Sequence, residues 1–386
     1  MKAQREYGLS VSWARVTTVF LIDVALLVIA SHLPDSWQAD HRNLTLWIGV
    51  GIAVIVTAVA LLTNGGVPVS SAPIARVRNW YADPEALTVG CTPAVDHRRQ
   101  FSRETVGIRE YDGQLIAVIA VDGSGEAGRH RHRDASASSF PLEAVVTSLR
   151  QFDVRLDSVD VVSVGTRHGA KGVQSAVRDD FRAGSDRRPI DERNTWLVLR
   201  MNPEHNVSAV AARDSVACTL AAAAERLAHD LDGRSCAAKP LNADEIIDVD
   251  DAVLAGLQPA HVRPFWRYLK TPDGYVTSFW VSPGDITSET LEELWLTDAD
   301  VTVMTIRIIA EGHEADVSVW VRYHSDKRLR KEAFSGLNRL TGRQLGAVAA
   351  SLPAPTSRRP LPMPSRTLGL REDILVPVGA VAAPQA

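Results

Sequence analysis

The chain has 386 residues, 45% of them hydrophobic, and a formal net charge of −4 at pH 7. A near-neutral balance carries no electrostatic footprint that demands nucleic acid or a strongly anionic partner. The cysteines, Cys91, Cys218 and Cys236, are an odd set without CxxC spacing, which fits reduced thiols better than a disulfide framework.

The first element is the apolar run from Val16 to Leu33. Lys2 and Arg5 precede it and Val28-x-Ala30 has the small-residue pattern of a signal-peptide cleavage site. Its 18 residues are long for a secretory apolar core of about 7–15. A second run, Leu44 to Leu62, has 19 residues and no charge, close to the length needed for a bilayer core of about 30 Å. The pattern predicts two transmembrane helices over about 16–33 and 44–62, joined by the short hairpin "PDSWQADHRN".

Asp23 sits inside the first run. A carboxylate at mid-helix costs about 2.5–3.5 kcal/mol on the insertion scale, whereas Leu, Ile, Phe and Val each contribute about −0.3 to −0.6. The eleven such residues between Val16 and Leu33 therefore outweigh it. Asp23 is either protonated or hydrogen-bonded to a neighbouring helix, or it faces a protein partner, because ionisable residues rarely face lipid. Gly49, Gly51, Ala53 and Ala58 on the second run permit close helix approach, so these four and Asp23 form a candidate docking set. Two helices offer too few polar positions for an ion pathway.

Lys2, Arg5 and Arg15 flank the first run, and Arg76 and Arg78 follow the second without a nearby acid. The intervening hairpin carries Arg42 beside Asp35 and Asp40. The positive-inside rule places both termini in the cytoplasm. Trp13, Trp37 and Trp47, with Arg15, lie near the predicted span ends, where interfacial anchors belong.

After a connector over about 63–110, the stretch 111–350 alternates strand-like and helix-like pieces. "QLIAVIAVDG", "VDVVSVG" and "TWLVLRM" read as strands, and "PLEAVVTSLRQF" as a helix with Pro at its start. A long Ala-rich helix closes at Gly233, and Asn242 with Glu245 resembles a capping box for the next. "VTVMTIRII" and "DVSVWVRYHSD" look like an antiparallel pair around "AEGHEA", and "GLNRLTGRQLGAVAASL" supplies a final helix. The expected fold class is a membrane-anchored mixed α/β protein, its soluble part in two sheet-containing lobes. Strand-then-helix recurs, but no residue pattern repeats. Residues 167–194, charged and poor in large apolar side chains, read as a mobile insertion. The tail, 351–386, is Pro-rich, although its "DILVPVG" is apolar enough to dock on the domain or a partner.

No motif carries chemistry with conviction. "GTRHGAKG" lacks the spacing of a phosphate-binding loop, and GxSxG, HExxH and CxxC are absent from the sequence. "RHRHRD" is a poor cation site because its arginines oppose a metal. It reads as a solvated basic loop, with a partner or lipid-headgroup contact through Arg129, His130 and Arg131 as the alternative. "DVDD" (Asp248 to Asp251) reads as a solvated helix face. "WVRYHSD" places Arg322 and His324 on one strand face and Tyr323 on the other, which fits a half-exposed interface strand better than a catalytic one. No catalytic, cofactor or metal residue is assigned, and a membrane-tethered enzyme with an unrecognised pocket stays open as the alternative.

Several phrases in combination carry a family resemblance: "SWARVTTVFLIDV", "ASHLPDSWQADH", "TWLVLRMNPEHNVSAV", "DGYVTSFWVSPGDITSETLEEL", "WVRYHSD" and "GLNRLTGRQLGAV". They resemble the EccE family of type VII (ESX) secretion systems, most closely its members from the fifth ESX system. The resemblance implies a non-catalytic structural subunit of an inner-membrane complex with EccB, EccD and the ATPase EccC, built of hexameric protomers and exporting largely PE and PPE proteins. It implies two transmembrane helices with a cytoplasmic domain, and no nucleic acid or cofactor. On that footing Asp23 and the small-residue face of the second helix are expected to dock against a neighbouring subunit such as EccD.

Overall fold

The computed structural model describes residues 7–9, 13–32, 42–64, 67–68, 75–76, 83–87, 93–99, 104–122, 138–167, 192–211, 215–233, 236–312, 314–354, 361–369, 372 and 374–379. The chain divides into two compact units, 3–81 and 82–386, each described by itself.

In the first unit the two apolar runs form helices α1 (Trp13–Ser31) and α2 (Arg42–Leu61). Strand β1 (Tyr7–Leu9) pairs antiparallel with β2 (Leu62–Asn64), and β2 with β3 (Val67–Pro68). The apolar parts of the helices are Val16–Ser31 and Trp47–Leu61, and among the described residues no single helix is long and apolar enough to cross a membrane.

The second unit is built on one large sheet. Its strands in chain order begin with β4 (Val95–Arg98), β5 (Thr105–Tyr111) and β6 (Gln114–Asp122). A short strand β7 (Ser138–Pro141) leads into helix α3 (Leu142–Ser148), and a small hairpin follows, β8 (Arg150–Gln151) and β9 (Val154–Arg155). Next come β10 (Ser158–Thr166), β11 (Glu192–Met201), helices α4 (Val207–Ala211) and α5 (Val216–Asp232), β12 (Ala237–Pro240) and helix α6 (Ala243–Leu254). The second half contains β13 (Arg263–Pro264), β14 (Leu269–Thr271), β15 (Gly274–Trp280), helix α7 (Ser288–Glu293), β16 (Val301–Glu311) and β17 (Glu314–Ser325). It closes with β18 (Asn338–Arg339), helix α8 (Gln344–Ser351), β19 (Arg366–Leu368) and β20 (Leu375–Val378).

The sheet runs β13-β14-β15-β17-β16-β10-β11-β6-β5-β4. The two expected lobes are thus one sheet, because β10 and β16 pair along their length from Ser158↔Ile309 to Thr166↔Val301. The domain also draws on segments outside the expected 111–350: β4 and β5 come from the connector, and the tail supplies β19 on β17 and β20 on β7. Ile374, Val376 and Val378 of that tail are buried, which is why "DILVPVG" docks on its own domain. The capping box is present: Glu245 N–H donates to Asn242 Oδ1 and Asn242 N–H to Glu245 Oε2. The final helix is shorter than its pattern suggests. Gly342, at φ +73° and against the Trp266 ring, ends a turn and α8 starts beyond it.

The register reveals a duplication that the residue pattern hides. Hairpin β5–β6 closes with Tyr111↔Gln114 and hairpin β14–β15 with Thr271↔Gly274. Across the strands, Ile119↔Leu197↔Val161 in the first half matches Phe279↔Val321↔Met304 in the second. Beside them, Pro240↔Ile119 matches Arg339↔Phe279, and the next amides agree too, Leu241 N–H to Val118 O (2.9 Å) and Leu340 N–H to Ser278 O (3.0 Å). Further bonds repeat at the strand ends: Asp157 N–H to Arg200 O (2.9 Å) and Asp300 N–H to His324 O (2.8 Å). Each half is therefore a hairpin, a crossover helix, a second hairpin, a short strand and a covering helix. Trp196 and Trp320 occupy the same position in the two halves. Helix α5 is an addition to the first half. Residues 167–191 connect β10 to β11 where Gly312 and His313 connect β16 to β17. Most of the expected mobile insertion, 168–191, lies outside the described residues, whereas Arg193 and Asn194 are strand.

Helices α3, α5 and α7 cover one face of the sheet and α6 and α8 the other. The strands are buried on both faces, so β6, β10 and β17 read as near-continuous apolar runs.

Candidate functional site

In the helical unit, Thr57 Oγ1 on α2 donates to Asp23 Oδ2 on α1 at 2.6 Å, while Asp23 Oδ1 is buried without a hydrogen-bond partner. Asp23 therefore spends part of its polarity inside its own hairpin. The four small residues divide between two faces. Gly49 lies so close to α1 that an added Cβ would sit 2.8 Å from Ala30 Cβ, and Ala53, one turn on, is buried. Gly51 and Ala58 are exposed, with nothing within 4 Å of a Cβ added at Gly51. Trp13 and Trp47 are 89% and 69% exposed, and Phe20, Leu21, Ile29, Val54 and Ile55 join them on an apolar exterior. Arg15 lies in the first turn of α1. Trp37, Arg129, His130 and Arg131 lie outside the described residues.

In the domain, Arg322 is not the half-exposed contact residue expected of it. It is 1% exposed, because α6 covers its face of β17 while the opposite face, with Tyr323, is covered as well. One guanidinium nitrogen, Nη2, donates to Val253 O at the C-terminal end of α6, whereas Nε and Nη1 are buried without partners. Burial, with no carboxylate to offset it, pulls its pKa down to about 9. The negative pole of the helix is its compensation.

The end of α8 is capped more fully. Arg307 grips Asp160 through Nε and Nη2, both 2.8 Å, and Arg200 Nη1 donates to the same carboxylate at 2.5 Å. The remaining donors reach helix-end carbonyls: Arg307 Nη2 to Ala350 O (3.1 Å) and Arg200 Nη2 to Pro353 O (3.0 Å). Burial alone would raise the Asp160 carboxyl, but the two guanidiniums hold it below its usual range. A second buried pair, Arg109 Nη1 to Asp250 Oδ2 at 2.6 Å, ties α6 to β5. Asp250 is therefore a core residue within "DVDD", and burial raises its carboxyl although Arg109 opposes the rise. Arg167 donates to the carbonyls of Trp295, Thr297 and Ala299 from a buried position. Sequence reasoning missed all of these. Their only signal was a charged residue at an inward position of an apolar strand or helix.

These groups lock helices to strands. His324 Nε2 and Ser325 Oγ, beside a cavity at the end of the sheet, are buried without hydrogen-bond partners and so do not form a nucleophile–base pair. Among the described residues no group of three His, Cys, Asp or Glu could hold a metal ion.

Comparison with known proteins identifies relatives along almost the whole chain. A family model described as "Putative type VII ESX secretion system translocon, EccE" matches residues 190–281. The chain is 53% identical to the ESX-5 secretion system protein EccE5 of Mycobacterium tuberculosis, across 98% of this chain and 97% of the relative. It is 52% identical to EccE5 of Mycobacterium marinum over the same shares. The ESX-2 secretion system protein EccE2 of Mycobacterium tuberculosis is 27% identical over 69% of this chain and 50% of its own length.

Proposed function

Because the chain belongs to the EccE family of type VII (ESX) secretion components, we propose that it is a non-catalytic structural subunit of an inner-membrane secretion complex. The observation that carries this reading is the helical hairpin. Its outer surface is almost entirely apolar, and a surface of that kind needs lipid or protein to cover it. Taken over the full apolar runs of the sequence, about 16–33 and 44–62, the two segments insert as spans, with both termini cytoplasmic and the Trp13 and Trp47 rings at the interfaces. Gly51 and Ala58, seven residues apart on the outward face of α2, form the surface on which a neighbouring subunit packs. Asp23, hydrogen-bonded by Thr57, holds α1 against α2 and so shapes the hairpin that the same assembly receives. The α/β domain, tied together by buried ion pairs, is a rigid brace for the cytosolic parts of EccC and EccD. The complex, with EccB as a further subunit and protomers in a hexamer, exports PE and PPE proteins.

An affinity pull-down of tagged full-length protein in mild detergent, with native gels and mass spectrometry, tests the proposal. Recovery in a megadalton-scale assembly with an ATPase and a many-spanning subunit is the expected result. Recovery as an isolated monomer would overturn it.

A further inference from the structure

The two halves of the domain can be compared residue by residue, and they part company where the second borders a half-open cavity of about 290 Å³. It lies at the end of the sheet, between the β14–β15 turn, the start of β16, the end of β17 and the residues that follow α6. The register equates wall residues with residues of the first half, and five of them are smaller: Thr271 for Tyr111, Gly274 for Gln114, Val276 for Ile116, His324 for Arg200 and Ser325 for Met201, whereas Tyr275 and Val301 are larger than Leu115 and Ser158. In the first half the space is filled from within: Tyr111 packs against the core, and the Arg200 guanidinium reaches Asp160 and the helix-end carbonyls of Leu352 and Pro353. In the second half Val303 stands where Asp160 would be, and His324 Nε2 makes no hydrogen bond. Gly274 cannot be enlarged, since at φ +155° an added Cβ would fall 2.2 Å from Ser325 O.

The wall has the chemistry of a cation acceptor. Its carboxylates are those of Asp273 and Asp300, the His261 imidazole also lines it, and α6 ends on it with Ala255 in the left-handed conformation at φ +53°, the Val253 carbonyl of that helix end being taken by Arg322. Burial and the nearby Arg322 hold the His324 imidazole well below its ordinary value, so it adds no positive charge. His324 Nε2 and Ser325 Oγ are polar atoms without partners. Tyr275 also lines the cavity, and its ring already takes one guanidinium, with Arg328 Cζ 5.4 Å from its centroid. Arg322 is not part of the wall.

We propose that this cavity binds a guanidinium or alkylammonium group, the kind of group that Arg200 places at the equivalent position of the first half. The source is either a small free amine or an arginine or lysine side chain of a partner segment. The assignment does not depend on the subunit role proposed above.

Calorimetric titration and thermal unfolding of the full-length protein in detergent test it, with agmatine, the peptide acetyl-Ala-Arg-Ala-amide and its neutral citrulline counterpart as probes. Saturable binding of a cationic probe, a raised melting temperature and at least tenfold weaker binding of the citrulline peptide are expected. Asp273→Asn, on an exposed turn, should weaken binding about tenfold. The double variant Thr271→Tyr, His324→Arg, which restores the first half's side chains, should abolish it while the protein stays folded. Agmatine bound more tightly than the peptide identifies a small-molecule ligand; the reverse identifies a partner's side chain. Failure of both cationic probes, equal binding of the citrulline peptide, or undiminished binding by Asp273→Asn would each overturn the proposal.

Discussion

Replacing Asp160 by asparagine should be among the most damaging single changes available in this domain. Asp160 is 1% exposed and accepts three hydrogen bonds from two guanidiniums, at 2.5, 2.8 and 2.8 Å. Asparagine keeps the size but removes the charge, leaving Arg200 and Arg307 with helix-end carbonyls alone. Breaking one side of a buried ion pair costs about 3–5 kcal/mol, because the remaining charge is buried and uncompensated. The cost is concentrated where β10 meets β16 and α8 lies across them, so α8 should loosen first. Urea unfolding of the full-length protein reads the total, and hydrogen exchange over 344–354 reads the local effect. The triple variant Asp160→Leu, Arg200→Met, Arg307→Met should recover most of the loss, since well-packed apolar groups can replace a buried ionic cluster without penalty. An Asp160→Asn cost under about 1 kcal/mol, with exchange over 344–354 unchanged, would refute this account of how the halves are joined.

Three further outcomes follow from particular contacts. Gly49→Leu should pry α1 and α2 apart at Ala30 and lower the melting temperature of the detergent-solubilised protein, an overpacking cost of about 1–3 kcal/mol, whereas Gly51→Leu should leave the hairpin intact. Gly342→Ala, at φ +73° with the new Cβ 2.2 Å from the Trp266 ring, should cost about 2–4 kcal/mol and raise acrylamide quenching of tryptophan fluorescence. His324 titrates well below its ordinary value in the folded state and near pH 6.5 when unfolded, so the unfolded state binds more protons between those values. Stability should fall as pH drops below about 6.5, by up to about 1.4 kcal/mol per pH unit, and His324→Gln should remove that component from the denaturation midpoints.

Local rules carried the reading of single elements a long way. Asn242 and Glu245 announce α6 because a capping box satisfies two amides within one turn, whatever lies elsewhere in the chain. The apolar lengths of 16–31 and 47–61, and the alternating β-branched runs of β16 and β17, are likewise local properties. The family was legible too, and the relative that shows it is 53% identical over 98% of this chain.

The buried charges were not legible, for a physical reason. Arg322 and Asp250 look like surface residues until α6 is laid over the sheet, and Asp160 meets Arg307 across 147 residues of sequence. The duplication was hidden for a related reason. A register conserves the backbone pairing Ile119↔Leu197 and Phe279↔Val321 while leaving side chains free to change, so Arg200 in one half answers to His324 in the other. By itself the sequence determined the main strands and helices of 111–350, where the apolar hairpin lies and to which family the chain belongs, but not the strands of the connector and the tail. Only the tertiary structure decided that the two lobes are one sheet, that Gly49 and Ala53 turn inward while Gly51 and Ala58 turn outward, and which charges are buried. Pairing, face and burial are relations between distant residues, and no local pattern encodes them.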